Sequence, residues 1–186
     1  MKSLYHGTTD VFDEIDLNYG KGYKDFGKGF YATAIIRHAE RIALRNKAIL
    51  EKRQVIMKKR NPEYRTTPIT AYRYNLLFTE DVSGLKVKLF ESADTEWLRF
   101  IMSNRKNENT IHDYDIVIGP TADAETILIL NQYEAELIES NYSEAICNKV
   151  IAELQPENLP KQYFFGTRKA LETLSFDVVK RQVVMG

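Results

Sequence analysis

The chain reads as an α+β domain built from two small antiparallel sheets, and three observations carry that reading. Short strand signals lie near both ends, at residues 4–6 and 30–32 and again at 162–165 and 176–184. A long helical pattern, residues 33–59, falls between early strands instead of after them. Strands and helices elsewhere are interspersed without the regular alternation of a doubly wound sheet. At 186 residues, with 44% hydrophobic and 28% charged side chains, the chain is sized and composed for one globular domain over residues 1–186.

Residues 4–6 open a short strand, and Gly7, Thr8, Thr9 and Asp10 turn the chain so that Val11, Phe12, Ile15 and Leu17 return to the core. Gly20, Gly22, Gly27 and Gly29 fall within one short stretch, the composition of a loop that bends sharply or admits a ligand to its backbone. Phe30, Tyr31 and Ala32 leave that loop as a strand, and Thr33 is placed to cap a helix. Ile35, Ile36, Ala39, Ile42, Ala43 and Ile49 give that helix an apolar stripe, and Asn61-Pro62 should stop it near Lys59. Strands follow at 69–78 and 85–90, then a helix at 92–102 with Trp97, Leu98 and Ile101 inward. Residues 114–119 form a strand ended by Gly119-Pro120. Residues 126–154 are helical with an interruption near Asn141. After Pro156 and Pro160 come a strand at 162–165, a helix at 168–174 capped by Thr167, and a last strand at 176–184.

Charge excludes little in sum, since the formal net charge is +0, but it is unevenly placed. Arg45, Lys47, Lys52, Arg53, Lys58, Lys59 and Arg60 face a single Glu51, whereas residues 123–144 hold only acidic charges. The basic block is either a solvated face or a contact surface for an acidic or phosphate-bearing partner, and it lacks the aromatic interleaving of a single-strand binder. A lone Cys147 forms no internal disulfide and no thiolate cluster, and no apolar run approaches the roughly 20 residues of a membrane span. A cytoplasmic protein without a membrane partner is expected.

His6 stands at a strand end where an imidazole can bond a ribose hydroxyl, and Gly7 beside it leaves a peptide open to a planar amide. Tyr31 can stack on such a ring or pack in the core. Other sites fit poorly. Gly27-Lys28-Gly29 lacks the ending of a Walker loop, and His6, His38 and His112 have no metal-ligand spacing, so no metal is expected. Cys147 lies in acidic helical surroundings unfavourable to a thiolate, and no serine sits in a nucleophile elbow.

Several ordered blocks together resemble the bacterial family catalogued as domain of unknown function 3990. They are Tyr5-His6-Gly7-Thr8, Asp25-Phe-Gly-Lys-Gly-Phe-Tyr-Ala-Thr33, Glu96-Trp-Leu-Arg-Phe-Ile101 through Asn104-Arg105, His112-Asp-Tyr-Asp-Ile-Val-Ile-Gly-Pro120 and Gln162-Tyr-Phe-Phe-Gly-Thr-Arg-Lys-Ala-Leu171. The resemblance spans almost the whole chain and implies the ADP-ribosyltransferase superfamily, near its diphtheria-toxin and poly(ADP-ribose) polymerase branch. It implies split antiparallel sheets with flanking helices, and NAD held as substrate in the cleft between the sheets. By that resemblance His6, Tyr31 and Gln162 are the catalytic signature. Gly7 clamps the carboxamide, and Thr8, Phe26, Lys28, Gly29 and Phe30 complete the NAD contacts, with Lys28 toward the phosphates.

Gln162 stands where many active relatives carry glutamate, so the site lacks a full negative charge for the developing cation. The second stacking tyrosine of polymerase-type relatives is replaced by the region around His38 and Ile42, leaving Phe26 or Phe30 to close over the ring. Mono-ADP-ribosyl transfer to a protein or nucleic acid is the leading expectation, in a toxin or a regulatory modifier with a possible neutralising partner protein. The alternatives are a non-catalytic NAD or ADP-ribose binding module, an RNA 2′-phosphotransferase-like enzyme using Arg99, Arg105 and Arg168, and an interaction protein with no nucleotide function.

Overall fold

The computed structural model describes residues 1–122, 124–155 and 159–186; the expectations at Asp123 and Pro156 lie outside them. The fold is α+β, with hydrogen-bonded strand order β4-β5-β6-β2-β1-β3-β7. The strands are β1 (Lys2–Thr8), β2 (Phe30–Thr33), β3 (Ala71–Phe78), β4 (Val87–Leu89), β5 (Ile116–Pro120), β6 (Lys161–Phe165) and β7 (Leu174–Val184). The helices are α1 (Ile36–Arg60), α2 (Thr95–Arg105), α3 (Ala124–Glu139), α4 (Glu144–Leu154) and α5 (Arg168–Leu171). Two antiparallel sheets were expected. The strands instead run in one order, and that order is mixed because β4 and β5 pair in parallel, Val87 against Ile116 and Leu89 against Ile118. A parallel pair needs a crossover, and α2 lies in the connection that supplies it.

The chain divides into two compact units interleaved in sequence. The first comprises Met1–Glu14, Ala32–Glu80 and Thr173–Gly186. Its β1 pairs antiparallel with β3 from Lys2↔Phe78 to Thr8↔Tyr72, and β3 pairs with β7 across a register shift between Tyr74 and Leu76. Helix α1 packs on this sheet through His38, Ala39 and Ala43. The predicted apolar stripe is therefore corrected: Ile35, Ile36 and Ile49 are exposed. The reason is close approach. A Cβ on Gly7 would sit 1.8 Å from the Ala39 carbonyl oxygen, so only small residues fit where helix meets strand. Thr33 is not the N-cap either. That position is Ile35, whose N–H donates to Thr33 Oγ1 at 3.2 Å. Val11 is exposed and Phe12 half-buried, so the turn returns less to the core than expected. Phe12 stacks on Tyr74 with ring centroids 4.0 Å apart, and the Tyr74 hydroxyl accepts from Phe12 N at 2.8 Å.

The second unit comprises Ile15–Tyr31 and Asp81–Glu172. Asp94, not Ser92, starts α2 by accepting from Trp97 N at 2.8 Å, which turns Trp97, Leu98 and Ile101 into a core shared with Phe26, Phe90, Val117 and Phe164. The Trp97 indole N–H donates to Pro120 O at 2.9 Å, satisfying its one polar atom. The interruption foreseen near Asn141 is real: Asn141 and Tyr142 take positive φ of 49° and 57° between α3 and α4. Thr167 caps α5 as foreseen, accepting from Ala170 N at 3.1 Å, but the helix ends at Leu171 because β7 begins at Leu174. Among the described residues no helix is long and apolar enough to cross a membrane.

Candidate functional site

In the first unit, His6 lies half-buried on β1 opposite Tyr74, with its ring edge-on to Phe12 at 5.9 Å. Gly7 and Thr8 are buried. Gly7 is occupied on its Cβ side by α1, which accounts for glycine there by packing alone. The Thr8 hydroxyl accepts from Asp10 N at 3.0 Å, fixing the turn that follows. Toward β2, the strand is paired at Tyr5↔Thr33, one step before His6. A groove of about 340 Å³ in the same unit is lined by Leu50, Arg53, Gln54, Met57, Tyr64 and Ile69, none of them a candidate site residue.

In the second unit, the glycine-rich loop and β6 are brought into direct contact although they are far apart in sequence. A Cβ on Gly29 would lie 2.4 Å from Phe164 Cε2 and 2.7 Å from Phe165 O, so glycine is required for the loop to lie this close. Phe30 meets Phe165 at 6.4 Å, and the Tyr31 ring meets Phe164 edge-on at 5.3 Å. The Tyr31 hydroxyl donates to Gly27 O at 2.6 Å and accepts from Phe26 N at 3.1 Å. Gly27 holds a φ of +90°, and the phenol locks that turn from inside. Burial pushes the Tyr31 phenol well above its ordinary pKa, and the negative charge of Asp25 adds to the rise, so the hydroxyl stays neutral. Phe26 is fully buried among Tyr31, Phe90 and Phe100, a core position. Lys28 is pinned by its backbone: its N–H donates to Thr110 Oγ1 at 2.9 Å, and that hydroxyl donates back to Lys28 O at 3.0 Å.

Gln162, opposite Gly119 on β6, is buried, and its amide donates to Asp25 Oδ2 at 2.8 Å. The same oxygen accepts from Ala122 N at 2.9 Å. Asp25 Oδ1 accepts from Arg105 Nε at 2.8 Å and lies 2.7 Å from Arg105 Nη2. A carboxylate only accepts, and at 5% exposure this one is surrounded by donors from α2, β6 and the segment after β5. Gln162 stands out in the sequence, whereas its partner Asp25 does not. The available signal was an aspartate opening the glycine-rich motif, together with an arginine closing the block that contains Trp97. Arg105 was a candidate phosphate ligand, but here its charge is committed to Asp25. Arg99 Nη2 donates to Tyr142 O at 2.7 Å, so neither supports converging phosphate ligands.

His112 lies beneath the same loop. Its Nδ1 accepts from Tyr114 N at 3.2 Å, so the proton is on Nε2, which donates to Phe26 O at 2.9 Å. Desolvation lowers its pKa below the ordinary histidine value, against the opposing pull of the Phe26 carbonyl.

Comparison with curated proteins and with solved structures returns no match. Residues 2–176, nearly the whole chain, match the family described as Protein of unknown function (DUF3990), and the protein belongs to that family.

Proposed function

We propose that this protein is a mono-ADP-ribosyltransferase that takes ADP-ribose from NAD and passes it to a macromolecular acceptor in the cytoplasm, as a toxin or a regulatory modifier. The observation that carries the reading is the contact between the glycine-rich loop and β6. Asp25 and Gln162, 137 positions apart, are directly bonded, with Tyr31 and Gly29 against Phe164 in the same unit. The superfamily resemblance assigns Tyr31 and Gln162 to the nicotinamide end, and Asp25 to Lys28 to the loop over the NAD phosphates. In the reaction the bond from nicotinamide nitrogen to ribose C1′ breaks with its electron pair leaving on nicotinamide. An acceptor nucleophile then bonds C1′ and loses its proton. Tyr31 and Gln162 would act by orientation and electrostatic fit, with Lys28 and Phe30 shaping the NAD contacts; the roles of His6, Gly7 and Thr8 rest on the superfamily resemblance alone.

A second reading, a non-catalytic module that binds NAD or ADP-ribose, is favoured by one observation: the Gln162 amide already serves Asp25. The pair also shows how to separate the two. A Gln162→Glu substitution alone would set one carboxylate against another in a buried place, so one would hold a proton. The exchange Asp25→Asn with Gln162→Glu keeps a donor and an acceptor in contact and moves negative charge onto β6. Nicotinamide release from NAD with cell lysate, followed by mass spectrometry of modified macromolecules, is the assay. Transfer by wild type that falls at least tenfold in folded Gln162→Ala, with NAD affinity little changed, supports the enzyme. NAD binding without release in wild type, with release gained by the exchange, supports the module. Absence of NAD binding by calorimetry overturns both.

A further inference from the structure

Helix α1 carries a pattern that its packing does not use. Isoleucine recurs every seven residues, at Ile35 on the N-cap and at Ile42, Ile49 and Ile56. Three positions after each of the last three stands a cation: Arg45, Lys52 and Lys59. Seven-residue spacing keeps each set nearly in line along a helix, drifting only about 20° per repeat, so the two rows run side by side for about 25 Å. Ile49 and Ile56 are 58% and 42% exposed, Ile42 is half-buried, and the three cations are exposed. Among the described residues no carboxylate pairs with Arg45, Lys52 or Lys59. Glu51 is turned to Lys47, and Glu40 to Arg73.

We propose that this face of α1 is a docking seam for a separate helix of acidic, amphipathic sequence, with apolar side chains against the isoleucines and Asp or Glu against Arg45, Lys52 and Lys59. Charge selects the occupant. The two rows match the inward positions of a heptad repeat, where isoleucine at the first position packs well in two-stranded pairs. The cations at the second position bar a second copy of this chain, since each would be desolvated without an acid to answer it. A phosphate backbone would answer the cations but leave the isoleucines against charged oxygens. A lipid surface would cover the isoleucines, but the exposed Val55 and Met57 stand about 100° to either side of Ile56, so the apolar side chains do not gather on one wide face.

The test uses the full chain and a synthetic four-heptad peptide with leucine at each first position and glutamate at each fourth, followed by fluorescence anisotropy at low salt. Binding is expected, and two variants should each weaken it at least tenfold. One is the triple charge reversal Arg45→Glu, Lys52→Glu, Lys59→Glu. The other is the pair Ile49→Ser, Ile56→Ser, which leaves the charge intact. The triple variant should instead bind the same peptide with lysine in place of glutamate. All five positions are outside the core, and circular dichroism of each variant confirms an intact fold before binding is read. The proposal is overturned by failure of the wild type to bind the acidic peptide, or by binding that survives the serine pair and so depends on charge alone. Tighter binding of duplex DNA or of vesicles rich in anionic lipid than of the peptide also overturns it.

Discussion

Replacing Asp25 by asparagine should destabilise the second unit far more than a one-atom change suggests. The carboxylate receives two contacts from Arg105, one from Ala122 N and one from Gln162 Nε2, all between 2.7 and 2.9 Å, in a side chain that is almost wholly buried. Asparagine retains one acceptor oxygen and turns the other atom into a donor that faces donors. Breaking a buried pair from one side costs about 3–5 kcal/mol. The Arg105 side chain is 23% exposed and can recover some hydration, which places the loss near the low end, about 3 kcal/mol. For a chain of this length that corresponds to a melting point lowered by roughly 6–12 °C. Trp97 is the single tryptophan and is fully buried in the same unit, so its fluorescence during thermal and urea unfolding reports on the affected region directly. The exposed pair of Lys86 with Asp113 is the control, and Asp113→Asn should lower the melting point far less, since water screens that pair. A second control is coupling: once Asp25 is asparagine, Arg105→Gln should add little, because its partner is already gone. A melting point lowered by less than about 2 °C in Asp25→Asn, or one no lower than in Asp113→Asn, would refute the view that this carboxylate holds the loop to β6.

Tyr31→Phe removes the phenol that bridges Gly27 O and Phe26 N and should cost about 1–3 kcal/mol in urea denaturation. If the ring alone meets a ligand, NAD affinity measured by calorimetry should stay within about twofold. For His112 the folded pKa lies below the unfolded one, so the unfolded state takes up its proton first as pH falls. Its contribution is present above the unfolded value near 6.5 and is lost as pH falls through that value toward the folded one. Wild type should therefore lose more stability between pH 7 and pH 5 than His112→Asn, and equal losses would remove His112 as the cause.

Local chemistry was legible where local rules decide the outcome. The Thr167 cap, the break at Asn141 and the stop before Pro62 follow from hydroxyls, left-handed backbone and a missing N–H, all within a few residues of the event. The face of α1 was not legible. A rule that sends large apolar residues inward picks Ile35 and Ile49, but the close approach of Gly7 to the Ala39 carbonyl leaves room only for alanine. The parallel pairing of β4 with β5 was hidden for a similar reason, since alternation along a strand says nothing of its neighbour's direction. At the candidate site, a glycine-rich loop and a strand opening on Gln162 could be marked separately. Their bond through Asp25 could not, because an aspartate in a polar loop looks solvated until Arg105 and Ala122 are known to surround it.

Strand β3 keeps a long appointment. Its partner β7 is made only after all of Asp81–Glu172, and Phe78 must wait for Leu174. At a synthesis rate of about 5–20 residues per second the interval is roughly 5–20 s. Throughout it, one edge of a strand carrying Tyr72, Tyr74, Leu76 and Leu77 has its backbone donors and acceptors unclaimed while the second unit can already be folding. The nascent chain is therefore most vulnerable to edge-to-edge association after most of it has left the ribosome, and a slow stretch of translation between β4 and β7 would lengthen that exposure.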